Sequence, residues 1–234
     1  MILNELIQRS PIRLLEQSID GGLKAGEIGI IASQSGIGKT SVLVQLALDK
    51  LLQEKKIIHV SFTQDKNYVS AWYKDIFNEF TSKKNLESTP EVKNELIKNR
   101  VLMNFNQDGI SKEQILRSLR SMIVEGSFAA EAVIIDGFDF SRTGRESIEN
   151  VKNFAKELGL SIWYSCNVKD GGQQYDSKNI PVLLKDFADQ LDIVIVLEPK
   201  QDHIELSVSK NRDANISKSK VMRLDPKTML ILEA

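Results

Sequence analysis

Two periods alternate along this chain of 234 residues. Short apolar runs, most of them rich in Ile and Val, read as buried strands at 27–32, 57–62, 131–136, 160–165 and 192–197, with a further apolar stretch at 100–105. Between them the apolar positions fall three or four apart, as on one face of a helix. Leu43, Leu46, Ala47 and Leu51 do so from 39 to about 53, where Glu54, Lys55 and Lys56 close the run with charge. Further helices are predicted at 68–80, from Glu91, at 111–125, at 146–158 and after Pro181. Ser111 and Gln114 have the spacing of a capping box. The tail alternates over 203–210, 220–224 and 229–232, and polar stretches at 81–90 and 167–179 interrupt the pattern. Strands alternating with helices predict an α/β fold: a mostly parallel central sheet flanked by helices, with antiparallel strands at the C-terminal end. With no internal repeat and no shift in composition, residues 1–234 read as a single domain.

Charge narrows the partners. Lys plus Arg number 31 against 32 Asp plus Glu, so no net positive field draws the chain to nucleic acid or to a membrane surface. The longest apolar runs, such as 132–135 and 193–197, are far too short to span a bilayer, and the first ten residues lack a basic segment and a cleavage site. Cys166 is the only cysteine and cannot form an internal disulfide, so it reads as a small core residue in a reducing cytoplasm. His59 and His203 have no ligand spacing and read as strand residues.

The chemistry is concentrated where the first strand gives way to the first strong helix. Ser33-Gln34-Ser35-Gly36-Ile37-Gly38-Lys39-Thr40, followed by Ser41, fits the P-loop pattern, with Ser33 where the first glycine is usual. A triphosphate needs inward-facing backbone N–H groups, a helix N-terminus, a long ammonium and a hydroxyl for Mg²⁺. Residues 35–41 supply these: Gly36 and Gly38 let the backbone wrap, Lys39 reaches the β- and γ-phosphates, and Thr40 is the magnesium hydroxyl. Ser41 stands where a dinucleotide-binding loop needs its third glycine, which disfavours that fold. The run Ala132-Val133-Ile134-Ile135-Asp136 ends in the carboxylate expected to hold the magnesium water shell, with Asp139 as fallback. The ligands predicted are therefore ATP and Mg²⁺.

With these motifs in order, the chain resembles the RecA superfamily of P-loop ATPases, in the branch of KaiC, RadA and the DnaB-type helicase motor. Ile19-Asp20-Gly21-Gly22-Leu23 with Gly26-Glu27, the Ser61-Phe62 strand end, the segments 100–136 and 186–197, and Lys210-Asn211-Arg212 carry the likeness. The resemblance implies a RecA-like core that forms homo-oligomers, with Lys210 and Arg212 reaching the γ-phosphate bound by a neighbour. It also exposes a departure. Relatives place a catalytic glutamate after the Ser-Phe pair, whereas this chain reads Thr63-Gln64-Asp65. Gln64 can orient water and Asp65 is a displaced candidate base, so slow or absent hydrolysis is expected, in a regulatory ATP-binding core. Asn167 stands at the position of a polar sensor. In DNA-handling relatives the loop after that strand lines a channel. Here the loop holds Lys169, Gly171, Gly172, Gln173, Gln174, Tyr175 and Lys178, its lysines offset by Asp170 and Asp176, and Lys218 and Lys220 near the tail are as ambiguous. Nucleic acid is not favoured; the alternative is an ATPase stimulated by single-stranded DNA or by a protein partner.

Overall fold

The structure is a computed structural model that describes residues 2–85, 90–106, 109–169, 174–214 and 222–233. A nine-stranded sheet runs through it: β1 (Ile28–Ser33), β2 (Lys56–Ser61), β3 (Arg100–Asn104), β4 (Ala130–Asp136), β5 (Ser161–Asn167), β6 (Ile193–Pro199), β7 (Ile204–Asn211), β8 (Met222–Leu224) and β9 (Ile231–Glu233), in the order β3-β2-β4-β5-β1-β6-β7-β8-β9. The first six strands pair in parallel and the last three join antiparallel, as the alternation predicted. Parallel neighbours need crossover connections, and these are helices: α3 (Lys39–Leu52), α4 (Lys66–Lys83), α5 (Pro90–Lys98), α6 (Lys112–Arg120) and α7 (Arg145–Leu158).

Each central strand is buried on both faces, so its side chains divide between two cores. Ile31, Ile57, Ile134, Trp163 and Ile195 pack under α3, α4 and α5. Ile30, Val60, Ile135, Tyr164 and Val194 pack under α6, α7 and the segment 182–190. Gly29 is dictated by this packing: a Cβ there would lie 2.4 Å from the ring of Trp163, which lies across β1.

Two helices precede the sheet, α1 (Ile2–Gln8) and α2 (Ile12–Ser18). They dock on α3 through Leu6, Ile12 and Leu15 and through an ion pair between Arg13 and the buried Asp49. Other elements depart from the sequence reading in local ways. Helix α4 begins at Lys66 because the Asp65 side chain accepts from the N–H groups of Asn67 and Tyr68, and it continues to Lys83, into the stretch read as a polar break. The Ser111–Gln114 capping box is present, but its helix relaxes into a π-helical turn over Ser121–Glu125. The segment after Pro181 is 3-10 rather than α, with Phe187 out of helical conformation at φ −136°. No helix among the described residues is long and apolar enough to cross a membrane.

Candidate functional site

Strand β1 lies between β5 and β6, yet the chain leaves it toward β2 on one side and returns to β6 on the other. Connections that diverge from adjacent strand ends open a crevice at the C-terminal edge of the sheet, the usual ligand position in such sheets. The residues that follow β1 fill this crevice. Gly36 (φ 80°) and Gly38 (φ 107°) take left-handed backbone conformations, and a Cβ on Gly38 would meet Leu224 Cδ2 at 2.6 Å. Gly38 also precedes α3 without a side-chain cap, so no capping side chain competes for the first N–H groups of the helix. Such a terminus favours an anion.

Lys39 is buried beside it and folds back on its own loop. Its Nζ donates to Ser33 O at 3.1 Å, Ser33 Oγ at 3.1 Å and Gln34 O at 2.7 Å. Ser33, in place of the usual first glycine, thus supplies two of the three acceptors that hold the ammonium, one of them the hydroxyl that a glycine would lack. Burial lowers the Lys39 pKa from 10.5 to about 8, against the opposing field of Asp136. Thr40 Oγ1 donates to Asp136 Oδ2 at 2.7 Å, which brings the two predicted magnesium groups together from positions 96 residues apart. Asp136 is buried at the end of β4, paired in register with Ser61 of β2. Ser165 Oγ accepts from Gly137 N at 2.7 Å, and Gly137 approaches Thr63 so closely that a Cβ would lie 2.6 Å from its methyl.

The resulting cavity, of about 310 Å³, is lined by the loop residues Ser35, Gly36, Gly38, Lys39, Thr40 and Ser41, by Thr63 and Gln64, and by Asp136 and Asn167. Ile37 turns away and packs against the core under α3. Five lining residues escaped the sequence reading, Gly137 and Ser165 beside Asp136 among them. Tyr68 and Trp72 of α4 carry edge-to-face rings 6.5 Å apart, and Met229 arrives from the far end of the chain. Only the helical spacing of Tyr68 and Trp72 was visible beforehand, and nothing in sequence links Met229 to the loop. It is held by two side chains of α3: Met229 O accepts from Ser41 Oγ at 2.5 Å and from Gln45 Nε2 at 2.9 Å, while Gln45 Oε1 accepts from Ile231 N at 2.9 Å. The Gln45 amide thus bonds the edge of the last strand as a neighbouring strand would.

Other predicted residues are elsewhere. Asp65 caps α4 and does not line the cavity. Asp139, the fallback carboxylate, accepts from the backbone N–H and hydroxyl of Ser141, bonds that hold its pKa below the usual range. Cys166 is buried among apolar groups, which pushes its thiol up to about 12 and leaves it inert. Asp170, Gly171, Gly172, Gln173, Lys218 and Lys220 lie outside the described residues.

Lys210 and Arg212 are not brought to the loop. Because β7 runs antiparallel to β6, they lie at the N-terminal edge of the sheet, about 20 Å away along a strand of six residues. Arg212 makes a bidentate pair with Glu27, Nε and Nη2 each at 2.7 Å, and donates to Ile19 O, Gly22 O and Asn211 Oδ1. Lys210 Nζ donates to Ala188 O and Leu191 O. Asp192 beside them accepts from Ile28 N and pairs with Lys152.

An uncapped helix terminus, an ammonium parked on replaceable carbonyls and a hydroxyl bonded to a buried carboxylate fit a magnesium nucleotide. No protein-family model matches the chain, and no curated protein matches it.

Proposed function

We propose that this chain is a cytoplasmic, RecA-like protein that binds Mg·ATP and hydrolyses it slowly, as a regulatory core. The observation that carries the reading is the meeting of Thr40, Asp136 and Lys39 in one crevice beside an uncapped helix end. On this reading the first N–H groups of α3 hold the phosphates and Lys39 exchanges three loop acceptors for phosphate oxygens. Thr40 and Asp136 would hold magnesium, whose charge offsets that of the phosphates. Tyr68 and Trp72 offer ring faces to an apolar part of the ligand.

Slow hydrolysis follows from the acids. Asp136 is the only carboxylate among the described residues that line the cavity, and it belongs to the metal. The position at the end of β2 is held by Thr63 and Gln64, neither of which takes a proton, so Gln64 is left to orient water. The resemblance extends the proposal to a homo-oligomer. Calorimetric titration with Mg·ATP, followed by native mass spectrometry, tests it: binding with turnover below about 1 per second is expected. Absence of nucleotide binding would overturn the site. Faster turnover, or stimulation by single-stranded DNA, would instead favour an active motor.

A further inference from the structure

The second large hollow lies between α4 and α5, on the outer side of the core under those helices. Its volume is about 430 Å³, within the range of small-ligand pockets. Leu48, Phe77 and Leu96 form the apolar floor, with Tyr73 in the wall and Ile97 exposed at 62% on the rim. Sequence spacing explains the shape. Asn67, Ser70, Lys74 and Phe77 form one stripe of α4, while Lys93, Leu96, Ile97 and the following Arg100 form a stripe across α5 into β3.

The charge of the lining is one-sided. Lys74, Lys93 and Arg100 face the hollow, and none has a carboxylate partner among the described residues. The acids of the same two helices, Asp75, Glu79, Glu91 and Glu95, do not line it, and Glu95 is held by Lys98 at 3.4 Å. Arg100 is the unusual member. Its guanidinium lies 4.1 Å above the Tyr73 ring and donates once, to Ser70 Oγ at 3.3 Å, which leaves most of its donors without an acceptor among the described residues. The Tyr73 hydroxyl bonds His59 Nδ1 at 2.9 Å, and the guanidinium lies over the face of the ring rather than on that oxygen. A partly buried cation without a counter-charge is costly, and the face of one ring offsets only part of that cost.

We propose that this hollow is a second binding site, for a small anion with an apolar body, such as an acyl carboxylate. The body lies on Leu48, Phe77 and Leu96, and the carboxylate takes the open donors of Arg100 with Lys74 and Lys93 at the rim. The site stands apart from the nucleotide crevice, and neither depends on the other being right.

The test is calorimetric titration of the full chain with decanoate, with decyltrimethylammonium of the same tail and opposite charge, and with acetate, which lacks the tail. Decanoate is expected to bind once per chain, at least tenfold more tightly than either control. Arg100→Gln should weaken it tenfold or more. Ala71→Trp, an exposed lining position, should block it by filling the hollow, and it keeps the test open if Arg100→Gln fails to fold. Lys39→Ala should leave decanoate binding intact, which separates this site from the proposed nucleotide site. Equal binding of both tails, indifference to both substitutions, or no binding would overturn the proposal. So would sedimentation showing that chains pair through this hollow and exclude decanoate.

Discussion

The two edges of the sheet hold similar charged groups and use them in opposite ways. At the N-terminal edge Arg212, Glu27, Lys210, Lys152 and Asp192 are joined to one another or to backbone carbonyls. At the C-terminal edge Lys39 is parked on its own loop, and the first turn of α3 has no side-chain cap. A group whose partners are fixed parts of the fold stabilises the fold. A group held by its own loop at the wall of a cavity can change those partners for a ligand at little cost.

The largest expected effect that breaks or upholds this contrast is at Lys39. Lys39→Ala should weaken Mg·ATP binding by about a thousandfold, or about 4 kcal/mol, with little change in the unfolding midpoint. Retained affinity would remove the crevice from the functional side of the comparison. Next comes Arg212→Ala, which strands Glu27 and three further acceptors and should cost about 3 kcal/mol in denaturant unfolding, with nucleotide affinity of the folded chain unchanged. If stability holds while turnover of an assembly falls, Arg212 acts on a neighbour and the N-terminal edge is not merely structural.

A smaller effect sharpens the contrast through pH. Lys39 titrates near 8, and a bound polyanion favours its protonated form, so binding takes up protons around that pH. Affinity should be level below about pH 7 and fall by up to about tenfold per unit above 8. Stability of the unliganded chain runs the other way: between 8 and 10.5 the unfolded state holds more protons at Lys39, so folding becomes more favourable as pH rises. Titration in buffers of different ionisation enthalpy, beside denaturation over the same range, would show both slopes. The smallest effect is at Asp65. Asp65→Ala should lose a cap worth about 1 kcal/mol, whereas Asp65→Asn, an equally good cap, should change neither stability nor turnover. A drop in turnover for Asp65→Asn alone would make it the base.

The sheet and the loop were legible because their signals are local. Alternation of β-branched runs with helical spacing marked the strands and α3, and residues 33–41 marked the loop between β1 and α3. What was not legible depends on distant contacts. Helices α1 and α2 have only seven residues each, and no side chain caps α2; they are held by docking on α3 through Leu15 and the Arg13–Asp49 pair, which no window of sequence shows. Proline after a polar loop suggested a helix start, yet packing of Leu184 and Phe187 into the core under α7 draws that segment into 3-10 turns. That Lys210 and Arg212 lie at the edge opposite the chain's own loop follows from the antiparallel turn from β6 to β7, which no window of sequence shows. In the same way Met229 enters the crevice only because β8 and β9 fold back on α3.

That last arrangement has a consequence for the order of events on the ribosome. Gln45 and Ser41 are made early, but the carbonyl and amide that satisfy them, Met229 O and Ile231 N, follow about 190 residues later. At cellular rates of about 5–20 residues per second, that delay is on the order of ten to forty seconds. Throughout it the helix behind the phosphate loop has its inner polar side chains without their native partners, and the loop lacks the wall that Leu224 and Met229 provide. On the proposed reading, nucleotide affinity waits on residues 224–231, made long after the helix they close on.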